Sequence, residues 1–237
     1  MFDFTYILKG FGMIFKPGLK RYVLLPLLIS TSLLSFFGWI AYERFDIFMN
    51  RLLPEDSWLQ WLSWLLWPIF ALTFLFIVFY GFTIIANLIG APFNSKLAEA
   101  VAAKLDDNIQ LPESDPFFKD AAKSIGSEIR KLFYYLLRAI PLLLLMLFPL
   151  TSPVASIVWL LFSVWFMALE YVAYPLENQK MLFSEQRKTL RRKPVSALAF
   201  GGGVTLLLLI PVINLAAMPA AVAGATIYWH EKLRKAQ

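Results

Sequence analysis

Residues 139–169 read AIPLLLLMLFPLTSPVASIVWLLFSVWFMAL, a run of 31 residues without a charged side chain. The segment Pro149–Pro153 interrupts this run and leaves uncharged halves of 10 and 16 residues. At about 1.5 Å per residue, these halves reach roughly 15 to 24 Å as helices, which is less than the ~30 Å hydrocarbon core of a bilayer. We therefore expect a helical hairpin that enters the membrane partway and returns. The alternative is a pair of short, tilted spanning helices with a tight external turn.

Three other uncharged stretches occur, at residues 22–42, 57–95 and 194–229. The first has the length of one membrane crossing, about 20 residues. The second is long enough for an interfacial entry followed by a crossing. The last is broken at Ile210–Asn214 and again at Pro219, so it predicts a second hairpin.

The sequence thus predicts an all-α integral membrane protein that forms a single membrane domain over residues 1–237. It has two long transmembrane helices, two re-entrant hairpins that penetrate the membrane partly, and amphipathic helices at the N-terminus and in the cytoplasm. The expected ranges are 1–17 for the amphipathic interfacial helix, 19–42 and 58–95 for the spanning helices, 96–138 for the cytoplasmic amphipathic helices, and 139–170 and 194–229 for the hairpins.

The composition excludes several classes of protein. Of the 237 residues, 59% are hydrophobic and only 16% are charged, and the mean hydropathy is +0.64. Soluble domains are usually about a quarter charged, so this chain is neither an ordinary cytosolic enzyme nor a disordered or nucleic-acid-binding segment. It has no cysteine and a single histidine, which excludes a thiolate metal site and disfavours a zinc site. We expect no metal, no cofactor and no nucleic-acid partner.

Basic residues are distributed unevenly over the segments that join the uncharged stretches. With two crossings and two returning hairpins, 20 of the 22 Lys and Arg residues fall on one side of the membrane and 2 on the other. Basic residues accumulate on the cytoplasmic side of bacterial membrane proteins. We therefore expect a multi-pass membrane protein with both termini in the cytoplasm. Six full crossings would predict the same orientation.

The segment KPGLKR, residues 16–21, joins the amphipathic helix to the first crossing. Its proline and glycine break the first helix, and the first amides of the next helix have no internal partner and carry partial positive charge. Free amides near Gly18 and Leu19, flanked by Lys20 and Arg21, predict a compact site for sulfate or phosphate. The glycine would let the backbone approach the anion closely. The alternative is an anchor in which both cations reach lipid phosphates.

Five segments in register resemble the CysZ sulfate-transport family of bacterial inner membranes. They extend over nearly the whole chain and are Gly18–Leu27, Trp58–Ser63, Ala91–Asn94, Tyr174–Asn178 and Ile210–Asn214. The resemblance implies an oligomer of helical inner-membrane subunits that takes up sulfate for cysteine biosynthesis. In that family a turn of glycine, leucine and two basic residues is associated with sulfate. This implies sulfate-binding roles for Gly18, Leu19, Lys20 and Arg21.

The chain departs from the family pattern at one position of this turn. The family carries two arginines there, whereas this chain has Lys20 before Arg21. Arginine offers a planar, two-pronged fork to an oxyanion and lysine offers a point charge, so we expect weaker geometric selection at position 20. The family also includes subunits packed in opposite orientations, which disagrees with the 20-to-2 distribution of basic residues in this chain.

Polar side chains at breaks in the apolar runs are candidates for lining a hydrated pathway. They are Asn87, Asn94, Asn178 and Asn214. The alternative is that these asparagines cap helix ends. Arg138 and Glu170 bracket the first hairpin, and we expect them to form an ion pair at its base.

The sequence predicts a sulfate transporter or channel and not an enzyme. The expected crossings contain no Asp, Glu, Lys or Arg, which disfavours a proton-coupled carrier, and no Walker motif is present for ATP hydrolysis. A passive route through a homo-oligomer in contact with membrane lipids remains, for sulfate and related oxyanions such as sulfite. One alternative is a non-transporting scaffold or regulator of a separate sulfate uptake system. Another, an enzyme acting on lipid phosphates, lacks a nucleophile paired with a base.

Overall fold

The computed structural model describes Asp3 and residues 5–52, 63–106, 109 and 116–234. Every regular element in these ranges is a helix, and they contain no strand. The helices are α1 (Thr5–Ile14), α2 (Arg21–Leu52), α3 (Ser63–Leu105), α4 (Phe117–Met146), α5 (Ser152–Asn178), α6 (Phe183–Arg191), α7 (Pro194–Leu208) and α8 (Pro211–Tyr228), followed by a π-helical turn (Trp229–Leu233). The predicted all-α fold is confirmed for these parts of the chain.

The chain divides into two compact units. The first comprises Met1–Val23 and Ala91–Gln237, and the second comprises Leu24–Gly90. The second unit therefore contains most of α2 and the first part of α3. The first unit contains the remaining helices and the turn between α1 and α2.

Two helices in the described residues have the length and composition of a membrane span. One is Arg21–Ile40 within α2, which agrees with the first predicted crossing. The other is α5, with 27 residues. The second predicted crossing corresponds to α3, which continues without a break into the predicted cytoplasmic segment and ends at Leu105.

The two segments expected to form hairpins each contain a turn between two helices, α4 and α5 in the first and α7 and α8 in the second. In the first, the Thr151 hydroxyl donates to the Leu145 carbonyl oxygen (2.6 Å), and the Ser152 amide donates to the Phe148 carbonyl oxygen (2.9 Å). In the second, Pro211 starts α8. Proline is tolerated there because the amide of the first helical residue has no partner within the helix. The expected break at Pro219 is wrong, since α8 runs through this residue.

The arms of the first hairpin are longer than its uncharged halves. Helix α5 extends past Glu170 to Asn178, and its 27 residues correspond to about 40 Å. Helix α4 has 30 residues and starts well before Ala139. The length of the uncharged halves therefore does not limit the depth of these helices, because charged residues lie inside the helices and not at their ends.

Helix α1 crosses α8 at two glycines, where the backbones are in direct contact. A Cβ at Gly10 would overlap the Ala220 carbonyl oxygen and lie 2.6 Å from the Gly224 nitrogen. A Cβ at Gly224 would lie 2.7 Å from the Tyr6 carbonyl oxygen. Only glycine permits helices to approach this closely. The buried face of the amphipathic helix α1 is therefore set against α8.

Two ion pairs join the N-terminal segment to the residues that follow α8. The Lys9 ammonium lies 2.9 Å from the Glu231 carboxylate, and Lys232 pairs with Asp3. The four side chains are partly exposed, so each pair contributes modestly. They hold α1 in register along α8. The main stabilisation of the unit comes from buried side chains such as Tyr228.

We expect Gly10→Ala to destabilise the chain by about 1–3 kcal/mol, because the added methyl group has no space in the crossing. Gly12→Ala is the matched control, since it lies in the same helix and a Cβ there would meet nothing within 4 Å. That change should be neutral or stabilise by about 0.5–1 kcal/mol. Thermal unfolding in detergent measures both variants. Equal melting temperatures for them would contradict the close crossing.

Candidate functional site

The connection between α1 and α2 is a compact turn over residues 15–20. The Lys16 amide donates to the Met13 carbonyl oxygen (3.0 Å), and the Leu19 amide donates to the Lys16 carbonyl oxygen (3.2 Å). Gly18 has a φ of +86°, a left-handed conformation that strains residues with a side chain. A Cβ at this position would meet nothing within 4 Å. The backbone angle, and not crowding, therefore requires glycine here.

Leu19 attaches the turn to the core of the first unit. Its side chain is 0% exposed, and the neighbouring Tyr22 and Val23 are partly buried against the same core. The expectation of a free amide at Leu19 is wrong, because that amide makes a hydrogen bond inside the turn. Leu19 therefore positions the turn and has no main-chain donor left for an anion.

Three other amides of the turn region are free. Within the described ranges, the amides of Gly18, Lys20 and Arg21 donate to no carbonyl oxygen. The side chains of Lys20 and Arg21 are exposed. The Arg21 guanidinium donates from Nη2 to the Tyr22 hydroxyl (2.9 Å) and lies against the Tyr22 ring. Unpaired N–H groups and two cations thus meet at the start of α2, where an anion is favoured.

A second polar region lies inside the first unit, where α4 and α5 meet. The Lys131 side chain is almost fully buried and its ammonium lies 2.7 Å from the Glu128 carboxylate. The Tyr174 hydroxyl donates to the same carboxylate (2.7 Å), and the Lys131 nitrogen lies 4.6 Å from the Tyr174 ring centroid. The Ser127 hydroxyl donates to the carboxylate of Glu177. We refer to these five residues as the Lys131 cluster.

The Lys131 ammonium remains charged in spite of its burial. Burial by itself lowers the pKa of the Lys131 ammonium, but the carboxylates of Glu128, Glu177 and Glu170 outweigh this effect and raise the pKa above its usual value. A buried cation with this many carboxylate neighbours is held by charge and by hydrogen bonds together. The cluster therefore joins α4 and α5 by polar contacts below the apolar hairpin.

Two of the candidate pathway asparagines lie beside this region. The Asn178 amide nitrogen donates to the Ser95 carbonyl oxygen (2.9 Å), and its oxygen accepts from the Ser95 hydroxyl (2.7 Å). Asn94 lies within α3 and is buried, and its amide nitrogen has no hydrogen-bond partner in the described part of the chain. Neither residue caps a helix end, so that alternative is wrong for both. The side chains of Asn87 and Asn214 lie outside the described residues.

The expected ion pair between Arg138 and Glu170 is wrong. Arg138 donates to the Tyr134 carbonyl oxygen (3.2 Å) and stacks on the Tyr134 ring, with Cζ 3.7 Å from its centroid. Glu170 instead interacts electrostatically with Lys131. Among the described residues, no ion pair joins Arg138 to a carboxylate.

The burial of Lys131 was missed from the sequence, although two signals were available. Glu128 and Lys131 are three residues apart, a spacing that brings side chains together on a helix. The motif Tyr174–Asn178 supplies Tyr174, Glu177 and Asn178, and each makes an inter-helix hydrogen bond. The polar residues of that motif therefore connect helices and do not cap them.

We expect Lys131→Met to destabilise the chain by about 3–5 kcal/mol, because its removal leaves buried carboxylates without a cation. Adding Glu128→Gln should restore part of the loss, since one of those carboxylates is then neutral. Arg130→Gln, at the exposed neighbouring position of α4, is the control and should change little. Thermal unfolding in detergent measures the series. A Lys131→Met variant as stable as the control would contradict this role of Lys131.

Lys131→Met should still be less stable than the wild type at pH 9. The pKa of Lys131 is raised in the folded chain, so its contribution is complete below the unfolded-state pKa of about 10.4. The contribution disappears only as the pH rises through the folded-state pKa. Unfolding of both proteins, measured from about pH 6 to pH 9, tests the direction of the Lys131 pKa shift. A contribution that vanishes near pH 7 would contradict that direction.

The described residues form only helices, and two of these have the length and composition of a membrane span. Together with the exposed cationic turn, this is typical of a helical membrane protein with a candidate anion site. Residues 6–219 match the family model described as "Sulfate transporter CysZ/Etoposide-induced protein 2.4". The chain belongs to this family.

Three relatives named Sulfate transporter CysZ resemble the chain over most of its length. The protein of Pectobacterium atrosepticum is 42% identical over 233 residues, which cover 97% of this chain and 84% of the relative. The protein of Pseudomonas fluorescens is 40% identical over 227 residues, 94% of this chain and 91% of the relative. That of Pseudomonas paraeruginosa is 40% identical over 230 residues, 94% and 92% respectively. The predicted family membership is confirmed.

Proposed function

We propose that this chain transports sulfate across the bacterial inner membrane and supplies it for cysteine biosynthesis. The observation that carries the proposal is an identity of 40–42% with relatives named Sulfate transporter CysZ, over 94% or more of this chain. The family model matches residues 6–219, a range that contains the turn and the first hairpin. Non-enzymatic transport also agrees with the absence of a nucleophile paired with a base in the sequence.

Sulfate binds at the turn between α1 and α2 in this proposal. The free amides of Gly18, Lys20 and Arg21 offer N–H groups, and the two exposed cations offset the charge of the dianion. Leu19 contributes as the buried anchor of the turn. The left-handed conformation of Gly18 closes the turn, and a tetrahedral oxyanion can accept from several of the free donors at once.

The membrane arrangement in this proposal keeps both termini in the cytoplasm and lets both hairpins penetrate the bilayer partly. The hairpin tips are apolar and exposed, with Leu150 at 93% and Leu209 at 71% exposure. Helix α7 has 15 residues and reaches about 22 Å, which is short of a full crossing. Several copies of the chain then assemble, with lipids, around a path lined by polar groups such as Asn87, Asn94, Asn178 and Asn214.

A passive route has to overcome the membrane potential. Moving a dianion inward against about 100 mV costs about 4.6 kcal/mol, which corresponds to a ~2,000-fold concentration ratio. Consumption of sulfate inside the cell would maintain inward flow. Cotransport with a coupling ion would also drive inward flow. The expected crossings contain no charged residue that could bind such an ion.

Sulfate flux into liposomes that contain only this chain tests the transport proposal. We expect uptake of radiolabelled sulfate above that of empty liposomes, and competition by sulfite. Correctly folded, reconstituted protein that gives no flux would favour a scaffold or regulator of a separate uptake system. Adding inside-acid and inside-alkaline pH gradients to the same assay separates a passive route from proton coupling.

Removing both cations of the turn, by Lys20→Ala with Arg21→Ala, should lower sulfate affinity by at least about 100-fold, since each charge-assisted contact is worth about 1.5–3 kcal/mol. Lys16→Ala, at an exposed cation in the same turn, is the control for loss of charge. Binding of radiolabelled sulfate to the purified chain measures both. Unchanged binding by the double variant would place the sulfate site elsewhere.

Lys20→Arg should keep or increase sulfate affinity, by up to about tenfold, because it adds a second planar fork beside Arg21. The same change should increase discrimination between tetrahedral sulfate and smaller halide ions. Competition of chloride with radiolabelled sulfate measures this preference. Loss of binding on Lys20→Arg would show that position 20 requires a compact ammonium.

A further inference from the structure

Two arginines from different helices stack on one aromatic ring in the first unit. In α4, Arg138 places its Cζ 3.7 Å from the Tyr134 ring centroid. From α6, Arg187 places its Cζ 5.1 Å from the same centroid and 5.2 Å from that of Phe183. The Phe183 ring meets Tyr134 edge-on, with centroids 5.3 Å apart. The sequence separation of the two arginines gives no indication of this arrangement.

The charge of this stack is not balanced by the described residues. Neither arginine lies within ion-pair distance of a carboxylate in the described ranges. The Arg187 Nε is buried and has no hydrogen-bond partner there. Stacking stabilises each guanidinium face. Of the N–H groups at the edges, Arg138 Nη1 donates to the Tyr134 carbonyl oxygen (3.2 Å), which leaves the remaining donors available. A buried charged donor without an acceptor is unfavourable, and such groups in native proteins usually face an ion or an ordered water.

We propose that Arg138 and Arg187 form a second site for a tetrahedral oxyanion, either inorganic sulfate or phosphate or the phosphate of an anionic lipid headgroup. Two guanidinium forks held on one ring are preorganised for such a ligand, because the stacked planes restrict their rotation and their edges carry parallel N–H donors. One oxyanion bound by both would satisfy the buried Nε of Arg187 and reduce the repulsion between two like charges.

The surroundings of the stack explain why either source of oxyanion fits. Arg138 is the last charged residue before the uncharged run 139–169, and Leu137 and Leu182 beside the stack are 67% and 63% exposed. Apolar surface next to a cationic edge is where a lipid headgroup phosphate lies. A free oxyanion reaches the same donors from the aqueous side. The site shares no residue with the turn at Gly18, so the two proposals stand or fall separately.

Radiolabelled sulfate binding to the purified full-length chain in detergent is the first arm of the test. It is measured with Lys20→Ala and Arg21→Ala already present, so that the turn does not contribute. On this background, Arg138→Gln with Arg187→Gln should lower the remaining affinity about tenfold or more. Lys188→Gln with Arg191→Gln is the matched control, since it removes two exposed positive charges from α6.

Native mass spectrometry of the otherwise unchanged chain with added phosphatidylglycerol or phosphatidylcholine is the second arm. The wild type and the Lys188→Gln/Arg191→Gln control should retain phosphatidylglycerol in preference to phosphatidylcholine, and the Arg138→Gln/Arg187→Gln variant should lose that preference. A selective loss in the sulfate arm assigns the site to a free oxyanion, and a selective loss in the lipid arm assigns it to a headgroup phosphate. Equal behaviour of the two double variants in both arms overturns the proposal.

Arg187→Lys is a milder variant that tests the same site if the Arg138→Gln/Arg187→Gln variant does not fold. It keeps the positive charge but replaces the fork and its stacking by a point charge. We expect it to elute as folded protein and to bind the identified oxyanion several-fold more weakly than the wild type. Binding as tight as the wild type in both arms would show that a fork at this position is not required, and would overturn the geometric basis of the site.

Discussion

The backbone contact between Gly10 and Gly224 constrains the rest of the first unit. Helices that touch backbone to backbone leave no room for alternative side-chain packing, so the direction of α1 follows from that of α8. The turn that begins at residue 15 leaves α1 one helical turn beyond Gly10, and its place is therefore set by the same contact. Burial of Leu19 completes the attachment. The free amides of the turn are thus presented by a rigid support, which reduces the ordering that an anion would otherwise require.

The Lys131 cluster has a different role, because its polar contacts determine how the apolar helices pack against one another. Leucine-rich faces pack against one another in many registers, and polar contacts select one of them. Tyr174 of α5 donates to Glu128 of α4, and Glu177 accepts from Ser127 of the same helix. Asn178 binds Ser95 of α3 through two hydrogen bonds. Polar side chains near the C-terminal end of α5 therefore align α3, α4 and α5.

Helix breaks and helix composition could be predicted from the sequence, whereas burial could not. Proline at the start of α8 and in the first turn of α5 marks both hairpin turns, because its missing amide hydrogen is tolerated there. Pro219 carries the same local signal inside α8, and only tertiary packing distinguishes it. The conformation of Gly18 agrees with its predicted role in a turn. The burial of Leu19 and Lys131 depends on residues distant in sequence. The local pattern therefore predicts a free amide at Leu19 and an exposed charge at Lys131.

The partner of α1 lies far along the chain, and this separation affects how the protein is made. Lys9 and Glu231 are separated by 222 residues, which a ribosome adds in about 10 to 45 seconds at ~5–20 residues per second. During that interval the N-terminal helix has emerged without the surface that it will occupy. Its apolar face is therefore not covered by α8 until the last part of the chain has been made, and the turn that follows α1 reaches its final position only then.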